Sequence, residues 1–143
     1  MRVVRFVLVA LSLTLIVPAC SRKAHKPVHA VRGQVLVQGR PASQAIVTFH
    51  PVGAIEGDPR PSGQTDEQGF FQLSSYANGD GASEGDYDVT VTWFRSQNRT
   101  PTEGDESTRN VLPPRYANPA TSLLRATVAP GDNELPPLQV QTR

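Results

Sequence analysis

The chain reads as an all-β protein, a single seven-stranded Greek-key β-sandwich, and three observations support this. Apolar residues recur with a period of two in short runs, most clearly Tyr87, Val89, Val91 and Trp93 against Asp88, Thr90 and Thr92. Turn-forming residues separate those runs. Thirteen prolines and 11 glycines argue against long helices.

The first strand is expected at residues 31–37, where Val31, Gly33, Val35 and Val37 alternate with Arg32, Gln34 and Leu36. Gln38-Gly39-Arg40-Pro41 supplies a turn. A second strand follows, with Ala45, Val47 and Phe49 alternating with Ile46, Thr48 and His50 until Pro51 ends it. These two strands are expected to pair as a hairpin. A Gly- and Pro-rich loop covers 53–62, and a tight hairpin is expected from a short strand at 63–66, the turn Asp66-Glu67-Gln68-Gly69 and the strand Phe70-Phe71-Gln72-Leu73. After a loop at 75–86 comes the strongest strand, Tyr87 to Phe94. The polar stretch 95–110 carries no element and reads as a mobile loop. Residues 112–116 read as extended, 123–128 as the sixth strand, and 135–140 as the seventh after a turn at 130–133. Seven short strands with turns between them indicate two packed sheets.

Val31-Arg-Gly-Gln-Val35, Gly39-Arg-Pro-Ala42, Ala45 to Pro51, Thr65-Asp-Glu-Gln-Gly69-Phe and Gly85-Asp-Tyr87-Asp-Val89-Thr-Val91 follow one another in order. Together they resemble the carboxypeptidase regulatory-like, or transthyretin-like, β-sandwich. Pro114-Arg-Tyr116 through Thr121-Ser122-Leu-Leu124 is similar to a stretch of small bacterial envelope lipoproteins of this type. The resemblance spans residues 30–141 and implies a fold and a location without an activity. Each landmark also has a structural reading. Asp66 and Gly69 shape a turn, and the Tyr87 ring packs inward while its hydroxyl bonds a loop backbone, as in the tyrosine corner of sandwich folds.

The amino terminus gives an address. Arg2 and Arg5 precede an apolar run from Phe6 to Val17, and small residues lead to Cys20, the only cysteine. That run of 12 residues is short of the roughly 20 that span a bilayer. Val17-Pro18-Ala19-Cys20 resembles the lipobox of bacterial lipoproteins, which implies that residues 1–19 are a signal peptide and that Cys20 receives a diacylglycerol and an acyl chain such as palmitate. Two or three chains suffice for stable anchoring. Residues 20–29 are then a lipidated tether, polar and expected to be mobile, and 30–143 the sandwich domain. The protein is expected in the cell envelope, anchored to the outer membrane or to the outer face of the cytoplasmic membrane, as a monomer.

Residues 1–19 hold two of the 14 basic side chains and none of the 13 acidic ones, so the mature chain is nearly neutral and nucleic acid is not an expected partner. The expected partners are the membrane, through Cys20, and an envelope protein or polysaccharide. No cofactor and no metal site is expected. His25 and His29 lie in the tether, and the carboxylates Asp58, Asp66, Asp80, Asp86 and Asp88, weighed as calcium ligands, lack an EF-hand spacing. Asn98-Arg99-Thr100 matches a glycosylation acceptor but precedes Pro101.

No catalytic residue is expected, because no nucleophile elbow, zinc-helix motif or phosphate loop occurs. Transthyretin-like hydrolases of a purine-breakdown intermediate give the enzymatic alternative, but their carboxy-terminal Tyr-Arg-Gly-Ser is absent, and His50 would have to meet an acid and an arginine in a pocket. A binding role uses exposed loops. Phe94, out of phase with its strand's buried face, with Arg95 beside it, and Arg115 with Tyr116 are the candidate ligand-binding residues. They motivate the alternative of a carbohydrate-binding accessory module.

Overall fold

A computed structural model of the chain describes residues 25–94 and 109–142, so the signal run, Cys20, Arg95 and the glycosylation-like triplet lie outside the described residues. The described part is all-β and forms two sheets. β1 spans Val31–Val37, β2 Arg40–Pro41, β3 Ile46–Pro51, β4 Ser62–Gln64, β5 Phe70–Gln72, β6 Gly85–Thr92, β7 Leu124–Val128, β8 Asn133–Glu134 and β9 Leu138–Val140.

β1 is the centre of the first sheet. Its odd residues bond toward β5 and β2: Val31 accepts from Leu73, and Val35 donates to Gly69 and accepts from Ala42. Its even residues face the parallel strands β8 and β9, as where Arg32 accepts from Leu135. The parallel register steps from Val31↔Asn133 to Val35↔Leu138, one residue more on the carboxy-terminal side. Leu135-Pro136-Pro137 forms this bulge, where two prolines without N–H groups cannot sustain a ladder. The expected seventh strand is thereby cut in two. The second sheet has the order β4-β3-β6-β7, antiparallel throughout.

The expected hairpin between 31–37 and 45–50 does not form. β1 turns back through Gln38 and Gly39, both at positive φ as a two-residue hairpin turn requires, and pairs with the two residues of β2. The chain then crosses to the other sheet, so β3 lies opposite β1 across the core. Thr65 clamps the crossing. Its buried hydroxyl donates to the Ala42 carbonyl and accepts the Ala45 N–H at 2.8 Å, while its backbone bonds Gln44 and Ala45.

The expected 63–73 hairpin is met at its ends and opened in its middle. Asp66 bonds Phe70 across the turn, and Ser62 and Ser74 form a bridge. Between them β4 pairs with β3 and β5 with β1, so this hairpin straddles the two sheets. Gly63 is required there, since a Cβ at that position would stand 2.4 Å from the Gln72 carbonyl oxygen. The strongest strand begins two residues earlier than expected, at Gly85. Pro114–Ala117, which overlap the stretch 112–116 expected to be extended, form one turn of 3-10 helix.

Inward side chains from both sheets make one core. Val31, Val35, Val37, Phe71, Leu73, Leu138 and Val140 come from the first sheet and its flanks; Val47, Phe49, Tyr87, Val89, Val91 and Val128 come from the second. The Phe49 ring joins the two halves, with its centroid 6.3 Å from Phe71 and 5.5 Å from Tyr87.

Candidate functional site

The strands give the molecule two ends. β1 starts beside His29, Ala82 and Asn133, and the turn 66–69 lies at its far end, where Gly69 meets Val35. Phe94, Arg115 and Tyr116 are at that far end. Phe94 bridges Asn110 and leaves 40% of its surface exposed, while neighbouring Trp93 turns inward and donates its indole N–H to the Ser43 carbonyl at 2.7 Å. Tyr116 is buried, and its hydroxyl accepts the Gln141 N–H at 3.0 Å. Arg115 lies over the Tyr116 ring at 4.8 Å and donates to the Gln141 carbonyl. Burial pushes the Tyr116 phenol up, but the Gln141 N–H and the Arg115 guanidinium outweigh it and hold it below its ordinary range. This pair ties the 3-10 turn to the carboxy terminus. Of the residues singled out for ligand contact, Tyr116 is thus a packing element and Phe94 is the exposed ring.

His50 faces outward from β3. Its Nε2 is 2.9 Å from the Thr90 hydroxyl, and Asp88 is its cross-strand partner. Burial lowers its pKa, the Arg60 charge lowers it further, and Asp88 opposes both. An acid and an arginine therefore do act on His50. Asp88, however, pairs with Arg125 of β7 at 3.5 Å, and the row lies across the outer face of the second sheet.

Each of the five carboxylates meets a protein donor. Asp66 Oδ1 accepts the N–H groups of Gln68 and Phe70, giving the turn expected of it. Asp80 accepts from Ser75, Tyr76 and Ala77. Desolvation raises its pKa, and those backbone donors together bring it below the ordinary value. Asp58 pairs with Lys26, Asp86 accepts from Thr127, and Asp88 meets Arg125. Among the described residues no group of three or more His, Cys, Asp or Glu is placed to hold a metal ion.

The structure adds a surface that the sequence reading missed. Because Phe71 fills the core, Phe70 must face outward, and it is 53% exposed. Gln34 lies directly opposite it on β1, and the neighbouring pair on that face is Arg32 with Gln72, flanked by Glu134. Gln34 and Gln72 each donate one amide hydrogen bond, to the Gln68 and Gly79 carbonyls, which orients both amides. A cavity of about 240 Å³ opens between Phe70, Gln34, Arg32, Glu134 and Leu135. The signal was available in the doublet Phe70-Phe71, since a strand can bury only one of two adjacent rings.

No protein-family model matches the chain, and no curated protein matches it in sequence. Among the described residues no helix is long and apolar enough to cross a membrane.

Proposed function

We propose that this chain is a lipid-anchored β-sandwich of the bacterial cell envelope that acts by position and contact and not by catalysis. The observation that carries this reading is Val17-Pro18-Ala19-Cys20 after a basic start and a short apolar run. The two-sheet architecture supports the transthyretin-like reading of the domain. The nine strand segments reduce to seven when Arg40–Pro41 is counted with its turn and the bulged β8 and β9 as one strand. The polar groups weighed for chemistry are engaged in turns, ion pairs and side-chain hydrogen bonds, which favours a structural or interaction role. Globomycin, which blocks the lipoprotein signal peptidase, should make the precursor accumulate, and Cys20→Ala should release the protein from membranes. A variant that stays membrane-bound overturns the anchor.

The Phe70 face favours a second reading, a carbohydrate-binding accessory module. The C–H face of a pyranose stacks on an exposed ring, and oriented amides with an arginine and a carboxylate meet its hydroxyls. On a glycan array the protein should retain a saccharide that Phe70→Ala loses. An array without any retained glycan removes this reading and leaves the anchor standing.

A further inference from the structure

We infer that the end of the sandwich bearing the loop 52–58 rests against the lipid surface, with Val52 and Ile55 as the side chains that enter it. This rests on the anchor reading above. The last part of the expected mobile tether is docked on the domain. The His25 ring stacks on Tyr76 with centroids 4.0 Å apart and planes within 5°, and the Lys26 ammonium meets Asp58 at 2.7 Å. The Lys26 N–H reaches the Tyr76 hydroxyl, and His29 and Ala82 exchange two backbone hydrogen bonds. A Cβ at Gly81 would stand 1.8 Å from the His29 carbonyl oxygen, so the chain lies flush against the 75–86 loop.

Cys20 lies five residues before His25. Even fully extended, that length reaches only about 18 Å. A lipid on Cys20 therefore holds the His25 end within that distance of the headgroups, while the opposite end stands roughly 20 Å farther off along the strands. Two aliphatic side chains project from the held end, Val52 at 57% and Ile55 at 73% exposure. They are presented by a braced turn. Ile55 donates to the Asp58 carboxylate and accepts the Asp58 N–H, Val52 donates to Asp86, and Lys26 pins Asp58 in turn.

Charge selects the kind of surface. Glu56, Asp58, Asp80, Glu84 and Asp86 around this end are nearly matched by Lys26 and Arg60 together with Arg22 and Lys23, which follow Cys20 in the sequence, so net attraction to anionic headgroups is not what seats it. A zwitterionic surface receiving two aliphatic side chains fits. The opposite end, with Phe94 and Arg115, then faces away from the membrane toward soluble or polymeric partners.

The test uses the full-length lipidated chain, made in bacterial cells and reconstituted into phosphatidylcholine–phosphatidylethanolamine vesicles. Ile55→Cys and Glu67→Cys are labelled with an environment-sensitive fluorophore; Glu67 sits in the exposed turn at the far end, and lipidation consumes Cys20 as a thiol. The label at 55 should shift to the blue and be quenched by nitroxide-bearing lipid, and the label at 67 by aqueous iodide. Equal iodide quenching at both sites, or the reverse pattern, overturns the orientation. Val52→Cys repeats the measurement should a label at 55 disturb its turn. The anchor is read first and separately: wild-type protein in the soluble fraction with a free Cys20 thiol overturns the underlying reading before any quenching is recorded.

Discussion

Tyr87 donates its hydroxyl to the carbonyl of Ser83, 2.7 Å away and four residues upstream. The ring lies in the core against Phe49, and burial, with smaller contributions from Tyr76 and Asp58, raises the phenol's pKa. The bond closes the loop that carries Gly81 and the docked amino-terminal segment, so one residue joins the core to the tethered end.

Tyr87→Phe keeps the ring and removes the donor. Its expected cost is about 1 kcal/mol of unfolding free energy, the usual net contribution of one such bond. Urea denaturation of both proteins measures it, and an unchanged midpoint would mean that the bond adds nothing beyond ring packing.

Thr65→Val tests the crossing between the sheets. The isosteric side chain leaves the Ala45 N–H without its acceptor in a buried site, which costs about 1 to 3 kcal/mol. The expected outcome is a clearly lower thermal midpoint with the far-ultraviolet dichroism of the folded protein unchanged at low temperature. Wild-type stability would show that Thr65 is not the clamp.

Gly63→Ala probes the place where β4 and β5 diverge. The added methyl meets a backbone oxygen, not a flexible side chain, so the two sheets must separate locally. A loss of about 1 to 3 kcal/mol is expected from such overpacking. Hydrogen exchange should report it as faster exchange at Ser62 and Ser74, whose paired N–H groups bridge the same corner.

These positions also mark where the sequence was legible. Alternation in 31–37 and 87–93 identified inward faces, because a strand's side chains point to opposite sides whatever the strand pairs with. Asp66 and Gly69 announced their turn for an equally local reason. Pairing was not legible: proximity in sequence suggests that 45–50 pairs with 31–37, but Ala42, Ala45 and Thr65 carry the chain across the core instead. The burial of Tyr116 was not legible either, because its partner, the backbone of Gln141, is 25 residues away.

His50 provides a pH prediction. Its folded pKa lies below 6.5, so in the window beneath that value the unfolded chain takes up a proton that the folded one resists. The sign follows: this residue's contribution makes stability fall as pH drops below 6.5. His50→Gln, which can still bond the Thr90 hydroxyl, should lose less stability on acidification than the wild type. Urea midpoints at about pH 7.5 and about pH 5 decide it, and parallel losses would sink the idea.

Taken alone, the residues determined that the molecule is built of strands, which faces of the longest strands turn inward, and where several tight turns fall, because those properties depend on neighbours a few positions apart. Tertiary structure decided which strands share a sheet, that Tyr116 is buried while Phe70 stands exposed, and that His25 and Lys26 lie on the domain. Each of those outcomes depends on atoms brought together from distant parts of the chain, and a period of two carries no record of them.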